Sequence, residues 1–122
     1  TRKALKAMKA GRFFHYSPDM DYGPGESVFV PFFGVQTATI TGLSRLAKLT
    51  GATVIPVITR MEANAYVARV GEPWTAYPGD DDSADARRLN AFIEAEVERS
   101  PEQYYWLHKR FKTRPAGEAR FY

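Results

Sequence analysis

Two carboxylates set two residues apart are the first residues here that could do chemistry. Asp19 and Asp21 lie in Ser17-Pro18-Asp19-Met20-Asp21-Tyr22-Gly23, and in extended chain that spacing points both side chains to one side. Such a pair could hold a hard cation, orient a hydroxyl or fix an arginine. The same residues are also what a tight loop uses to bond its own backbone. A second candidate is the run His108-Lys109-Arg110-Phe111-Lys112-Thr113-Arg114, which follows the aromatics Tyr104, Tyr105 and Trp106 almost at once. Lys109, Arg110, Lys112 and Arg114 could bind phosphates by charge-assisted hydrogen bonds, the arginines with a planar fork. Cations are equally favoured at the C-terminal end of a helix. A third candidate is Phe32-Phe33-Gly34, ahead of Gln36-Thr37-Ala38-Thr39. Glycine permits close backbone approach, and hydroxyl and amide groups at a helix start can receive an anion or a sugar. The plain alternative is a strand-to-helix turn capped by Thr37 or Thr39.

Neither histidine finds an acid–base partner in its own stretch of sequence. After a gap of four residues His15 meets Met20, with Asp19 one position short and Asp21 one too far. Within Phe13-Phe14-His15-Tyr16 it reads as a packed strand residue. His108 reads the same way, on a helix face with Tyr104 and Phe111.

The elements that must position these groups follow from periodicity and punctuation. Thr1 to Ala10 has a basic helical pattern that Gly11 terminates. Arg12 to Tyr16 is a short aromatic strand candidate, and Ser17 to Ser27 is a Pro/Gly loop. Val28 to Phe32 fits a buried strand. From Ala38 to Thr50, Ile40, Leu43, Leu46, Ala47 and Thr50 recur at helical spacing, with Gly51 placed as a cap. Thr53 to Thr59 and Tyr66 to Val70 are strands, the first put at an edge or a bulge by Pro56. One helix, capped by Asp82 or Ser83, runs to about Arg99 with Leu89, Phe92, Ile93 and Val97 on one face. Another has Ser100 as cap, Pro101 at its first position and Gln103 completing a capping box, so that Tyr104, Leu107, His108 and Phe111 share a face. The fold class is α/β: a partial mixed sheet flanked by helices. It reads as a single domain over residues 1–122, with a helix end in 1–11, a sheet-rich part in 12–82, and helices with a basic tail in 83–122.

Composition narrows the classes. A hydrophobic content of 44% and a charged content of 25% belong to a globular domain, not a disordered polymer. Seventeen Lys and Arg against fourteen Asp and Glu give a net charge of +3, which permits anionic partners without requiring them. The absence of cysteine removes disulfides, thiolate metal sites and thiol nucleophiles together. The densest apolar run, Val28 to Val35, is far short of the roughly 20 residues a membrane helix needs. No nucleic-acid motif accompanies the basic run, so nucleic acid is not an expected partner.

Taken in order, DMDYGP (19–24), VFVPFFGVQTAT (28–39), GLSRLAKLTGATVIPV (42–57) and RLNAFIEAEVERSPEQYYWLHKRFKTRP (88–115) resemble the C-terminal part of the bacterial lipid A biosynthesis acyltransferases, the lauroyl and myristoyl transferase family. The likeness runs from about Gly11 to Tyr122. It implies the C-terminal half of a glycerolipid-acyltransferase-like fold. It also implies transfer of a fatty acyl chain from acyl carrier protein onto a hydroxyl of a lipid A precursor, without a cofactor, at the cytoplasmic face of the inner membrane. The family's catalytic pair, a His followed after four residues by Asp or Glu, belongs upstream of the region resembled, as does its membrane anchor. His15 does not fit that motif. The resemblance therefore implies a fragment with no catalytic residue of its own, inactive alone and prone to self-association through exposed edges; no residue is assigned to a metal, and the acidic loop leaves that role open. Asp19 and Asp21 match the family's acidic loop. Phe32, Phe33 and Gly34 match its FFG turn, which with Thr39 is expected to shape the acyl or acceptor pocket. Lys109, Arg110, Lys112 and Arg114 match the terminal basic segment, expected to meet substrate phosphates, lipid headgroups at the membrane surface or the acidic carrier protein. Two other readings stand beside this one. The chain could be a stand-alone basic module binding acidic protein, membrane or RNA, or a relative that acylates a mannosylated lipid.

Overall fold

β-Branched and aromatic residues on either side of a two-residue turn build the first strand pair. In the computed structural model, which describes residues 2–122, β1 (Ser27–Phe32) and β2 (Val35–Ile40) are antiparallel, in register from Ser27↔Ile40 to Phe32↔Val35. Phe33 and Gly34 link them with φ of 48° and 77°, and two positive values in succession are the mark of a type I′ hairpin turn. Phe33 takes that conformation against its sterics, and its N–H donates to Glu94 Oε1 at 2.9 Å. The FFG motif is thus a hairpin turn and not the expected strand-to-helix turn. Thr37 and Thr39 are buried strand residues, not caps.

The helix expected from Ala38 begins only after β2, as α2 (Gly42–Thr50). The β-branched Thr37, Thr39 and Ile40 pair with β1 instead. Gly51 closes α2 as expected, with φ of 68° and its N–H bonded to Ala47 O at 2.8 Å. A second antiparallel pair follows, β3 (Val57–Glu62) with β4 (Ala65–Val70). The strand foreseen from Thr53 starts at Val57 because Pro56 has no N–H to give a ladder. Pro56 O instead accepts the Gly71 N–H at 2.9 Å, and Val54 O accepts the Trp74 N–H at 2.9 Å.

α3 (Asp82–Arg99) is capped by Asp81, whose side chain accepts the Ser83 N–H at 2.9 Å. The cap is one residue earlier than foreseen. Asp82 and Asp85 in the first turn complement the helix dipole. α3 packs along β1, and its Ala86, Leu89 and Val97 join Val30, Phe32, Ala38 and Ala47 in the core. α1 (Arg2–Lys9) rests on α2 and ends before Gly11, at φ 77°. The α/β class is as expected, with the described strands pairing as two separate hairpins.

Two expected elements are replaced by irregular chain. Arg12 to Tyr16 forms no strand, and Phe13 is 99% exposed. The last helix shrinks to a 3₁₀ turn, Pro101–Gln103, followed by successive turns. Gln103 does not complete a capping box. Its amide bonds both backbone groups of Met61 on β3, accepting from the N–H at 2.8 Å and donating to the carbonyl at 3.0 Å. Tertiary partners outbid the local helix pattern, and Tyr104, Leu107, His108 and Phe111 share no helix face.

Candidate functional site

The C-terminal segment closes over the acidic loop through three side chains. Arg110, 2% exposed, donates from Nε to Asp19 Oδ1 at 3.1 Å, and from its two terminal nitrogens to Ala38 O at 2.8 Å, Thr39 Oγ1 at 3.3 Å and Asn90 Oδ1 at 3.2 Å. Its guanidinium lies 5.0 Å from the centre of the Phe32 ring. Asn90 in turn donates from Nδ2 to Thr39 Oγ1 at 2.9 Å and Pro31 O at 3.0 Å, and Thr39 Oγ1 donates to Thr37 O at 3.2 Å. Asp21 accepts the Thr113 N–H and hydroxyl, both at 2.8 Å, and the Gly23 N–H at 2.9 Å. Of the roles open to the carboxylates, Asp19 fixes an arginine, while Asp21 serves its own turn and anchors Thr113. Among the described residues no cluster of three or more His, Asp or Glu is arranged to hold a metal.

His108 completes the clasp in a role its neighbours in sequence do not suggest. The Asp21 N–H donates to His108 Nε2 at 3.1 Å. A backbone N–H can only donate, so Nε2 carries no proton and the ring is neutral with its proton on Nδ1. Burial holds the His108 pKa below its ordinary 6.5; of the charges facing it, Asp19 and Asp21 raise it while Arg110 and Lys112 lower it. Folding thus favours the neutral ring. Its contribution to stability is complete above about pH 6.5 and is lost as the pH falls through the lowered folded-state value. His108→Gln, which keeps an acceptor but does not titrate, should flatten the stability–pH curve between about pH 7 and 5. Urea midpoints across that range measure it, and an unchanged curve would deny His108 this part.

The sequence-based candidates separate in space. Asp19, Arg110, Thr39 and Phe32 come together in the buried network, while Phe33 and Gly34 form the hairpin tip bonded to α3. The basic run does not form one exposed face. Arg110 is internal; Arg114 bonds Gln36 O and Glu118 and stacks 4.4 Å from the Phe121 ring; Lys109 and Lys112 remain exposed, Lys109 lying 5.7 Å from the Tyr122 ring. His15 is exposed and bonds only locally, to Ser17 Oγ at 2.9 Å, contrary to its reading as a packed residue. Asn90, Thr113 and Tyr104 were not singled out beforehand as site residues. Asn90 could have been found, since it sits at the spacing of Ala86, Ile93 and Val97 on the inward face of α3. The Tyr104 hydroxyl is buried without a well-formed hydrogen bond, and burial, with the Asp19 carboxylate beside it, pushes its pKa up.

Beside this network runs an apolar groove of about 1250 Å³, larger than the roughly 300–1,000 Å³ of ordinary small-molecule clefts. Leu46 of α2, Ile55 before β3, and Phe92, Ile93 and Val97 of α3 line it. Asp19 and Tyr104 also border it, so the clasp forms part of its wall. Of the cations that border it, Lys9 and Arg12 come from the start of the chain and Arg60, paired with Glu96, comes from β3; none comes from the terminal basic run.

An apolar groove beside carboxylates and cations has the chemistry to receive an amphiphile with a long chain. Residues 1–113 match the family model described as bacterial lipid A biosynthesis acyltransferase. The chain belongs to this family. Among its lipid A acyltransferase relatives, the lipid A biosynthesis lauroyltransferase of Escherichia coli K12 is 44% identical over 116 residues, covering 93% of this chain and 38% of the relative. The palmitoleoyltransferase of the same organism is 40% identical over 124 residues, covering 99% of this chain and 40% of the relative. The myristoyltransferase is 35% identical over 120 residues, covering 97% and 37%. The chain therefore spans about two-fifths of the length of the acyltransferases it matches.

Proposed function

We propose that this chain is the C-terminal part of a lipid A acyltransferase and supplies the wall of its acyl-chain site. The whole enzyme moves a fatty acyl chain from acyl carrier protein to a hydroxyl of a lipid A precursor, at the cytoplasmic face of the bacterial inner membrane. The observation that carries the reading is the apolar groove between α2, α3 and the Val54–Val57 segment, bordered by Lys9 and Arg12. Hydrocarbon is stabilised in such a groove by about 0.8 kcal/mol per buried methylene, and the two cations suit an anionic group attached to the chain. Asp19, Asp21, Thr39 and Arg110 act by fixing the wall. Phe32 packs beneath Arg110, while Phe33 and Gly34 pin the hairpin to α3. Lys109 and Lys112 face phosphates, headgroups or the acidic carrier, while Arg114 ties the terminal segment to Gln36 O and Glu118.

No residue of this chain is given the part of general base. His15 has Ser17 and no carboxylate as its partner, and the spacing His-x4-Asp/Glu does not occur around it. Among the described residues no helix is long and apolar enough to cross a membrane. With acyl-loaded carrier protein and a lipid A precursor, a full-length family member containing these residues should transfer label, and the isolated chain should not. Transfer by the isolated chain would overturn its non-catalytic role. Failure by an intact, folded full-length protein would overturn the reaction.

A further inference from the structure

We propose that the turn Tyr105–His108 is a membrane-inserting tip that seats this chain on an anionic lipid surface, a contact that rests on the lipid-directed function above. The His108 N–H bonds Tyr105 O at 3.1 Å, closing a turn with Trp106 and Leu107 at its two central positions. Turn tips ordinarily carry Gly, Pro, Asn, Asp or Ser. Here three consecutive large residues stand out of the protein: Tyr105, Trp106 and Leu107 are 65%, 57% and 84% exposed. The Trp106 indole N–H is held by Pro101 O at 2.6 Å and its ring packs edge-on to Tyr104, 4.8 Å between centres. That fixes the ring as part of the tip and spares it the cost of burying an unpaired N–H.

The surroundings favour lipid over a protein pocket. Lys109 and Lys112, immediately beyond the turn, are exposed, and Tyr122 lies beside Lys109. Trp and Tyr prefer the interface of a bilayer, where one side of the ring is apolar and the other wet. Lysines flanking an apolar tip meet anionic headgroups, each favourably. The tip is separate from the groove, since Tyr105, Trp106 and Leu107 do not line it. One element of the chain would thus rest on the membrane while another holds the acyl chain.

The test uses the whole chain with vesicles of phosphatidylcholine and phosphatidylglycerol and no acyl donor or acceptor, so it is independent of the acyl-transfer reading. Trp74 and Trp106 are the two tryptophans; in a Trp74→Phe background the emission belongs to Trp106. Its emission should shift to the blue on vesicle addition and be quenched by lipids brominated near the headgroup end of the tail. Binding to phosphatidylcholine alone should be at least tenfold weaker. Leu107→Lys adds a positive charge at a highly exposed position and removes the apolar tip. Insertion predicts that it binds at least fivefold more weakly than the parent, although its charge is higher. Unquenched Trp106, or a Leu107→Lys chain that binds as well or better, overturns the proposal. The second outcome would assign the face to a purely electrostatic partner such as an acidic protein.

Discussion

Arg110→Ala should lower the stability of this chain by about 3–5 kcal/mol, the usual cost of removing one partner from a buried charged pair. The loss has several parts. Asp19 keeps its negative charge without its cation, and Asn90 Oδ1 and the Ala38 carbonyl lose their donors inside the fold. The C-terminal segment then retains only Asp21 and His108 to hold it to the acidic loop. Since natural domains are stable by only about 5–15 kcal/mol, the variant should be partly unfolded or close to it. Arg110→Lys should not restore it, because one ammonium cannot reach donors set in a planar fork. Lys112→Ala, at an exposed position of the same run, should stay within about 0.5 kcal/mol of the parent. Urea unfolding followed by far-ultraviolet circular dichroism measures all three. A stable Arg110→Ala chain would show that the guanidinium is held for something other than the fold.

The second large effect concerns the groove. In a full-length family member carrying these residues, Ile93→Trp should shorten the acyl chain the enzyme accepts. Ile93 lies on α3 along the groove wall, and an indole there fills space that hydrocarbon would occupy. If two or three methylenes are displaced, at about 0.8 kcal/mol each, kcat/KM for the preferred chain falls about 15- to 60-fold. A donor shorter by that length should lose little, so the ratio between the two reverses. An equal fall for both donors would point to a damaged fold and away from a chain-length wall.

Much of this is legible in the sequence, and each miss has its own physical cause. α3 is readable because its apolar face and its capping region act locally, and Gly51 ends α2 where its type demands it. The expected C-terminal helix does not form because its would-be capping and packing residues find partners far away in sequence: Gln103 on Met61, His108 on Asp21. The hairpin at Phe33-Gly34 was hidden because the usual signal for that turn is Asn-Gly or Asp-Gly, whereas here a phenylalanine takes the positive φ. A charge pattern counts cations without sorting them. In the run from Lys109 to Arg114, one arginine is interior, one is stacked on Phe121 and the lysines face solvent. The acidic loop fits several roles by sequence, and the structure uses three of them at once: Asp19 fixes an arginine, and Asp21 orients the Thr113 hydroxyl and closes its own turn.

What occupies the groove decides the function of this chain. The most direct measurement is photocrosslinking with an acyl carrier protein whose fatty acyl chain bears a diazirine near its end, applied to a full-length enzyme containing this chain. Peptide mapping should place the adducts on groove residues such as Leu46, Ile55, Phe92, Ile93 and Val97, and Ile93→Trp should shift or abolish them. Adducts confined to other parts of the enzyme, with the groove unlabelled in a protein that still transfers acyl chains, would contradict the account.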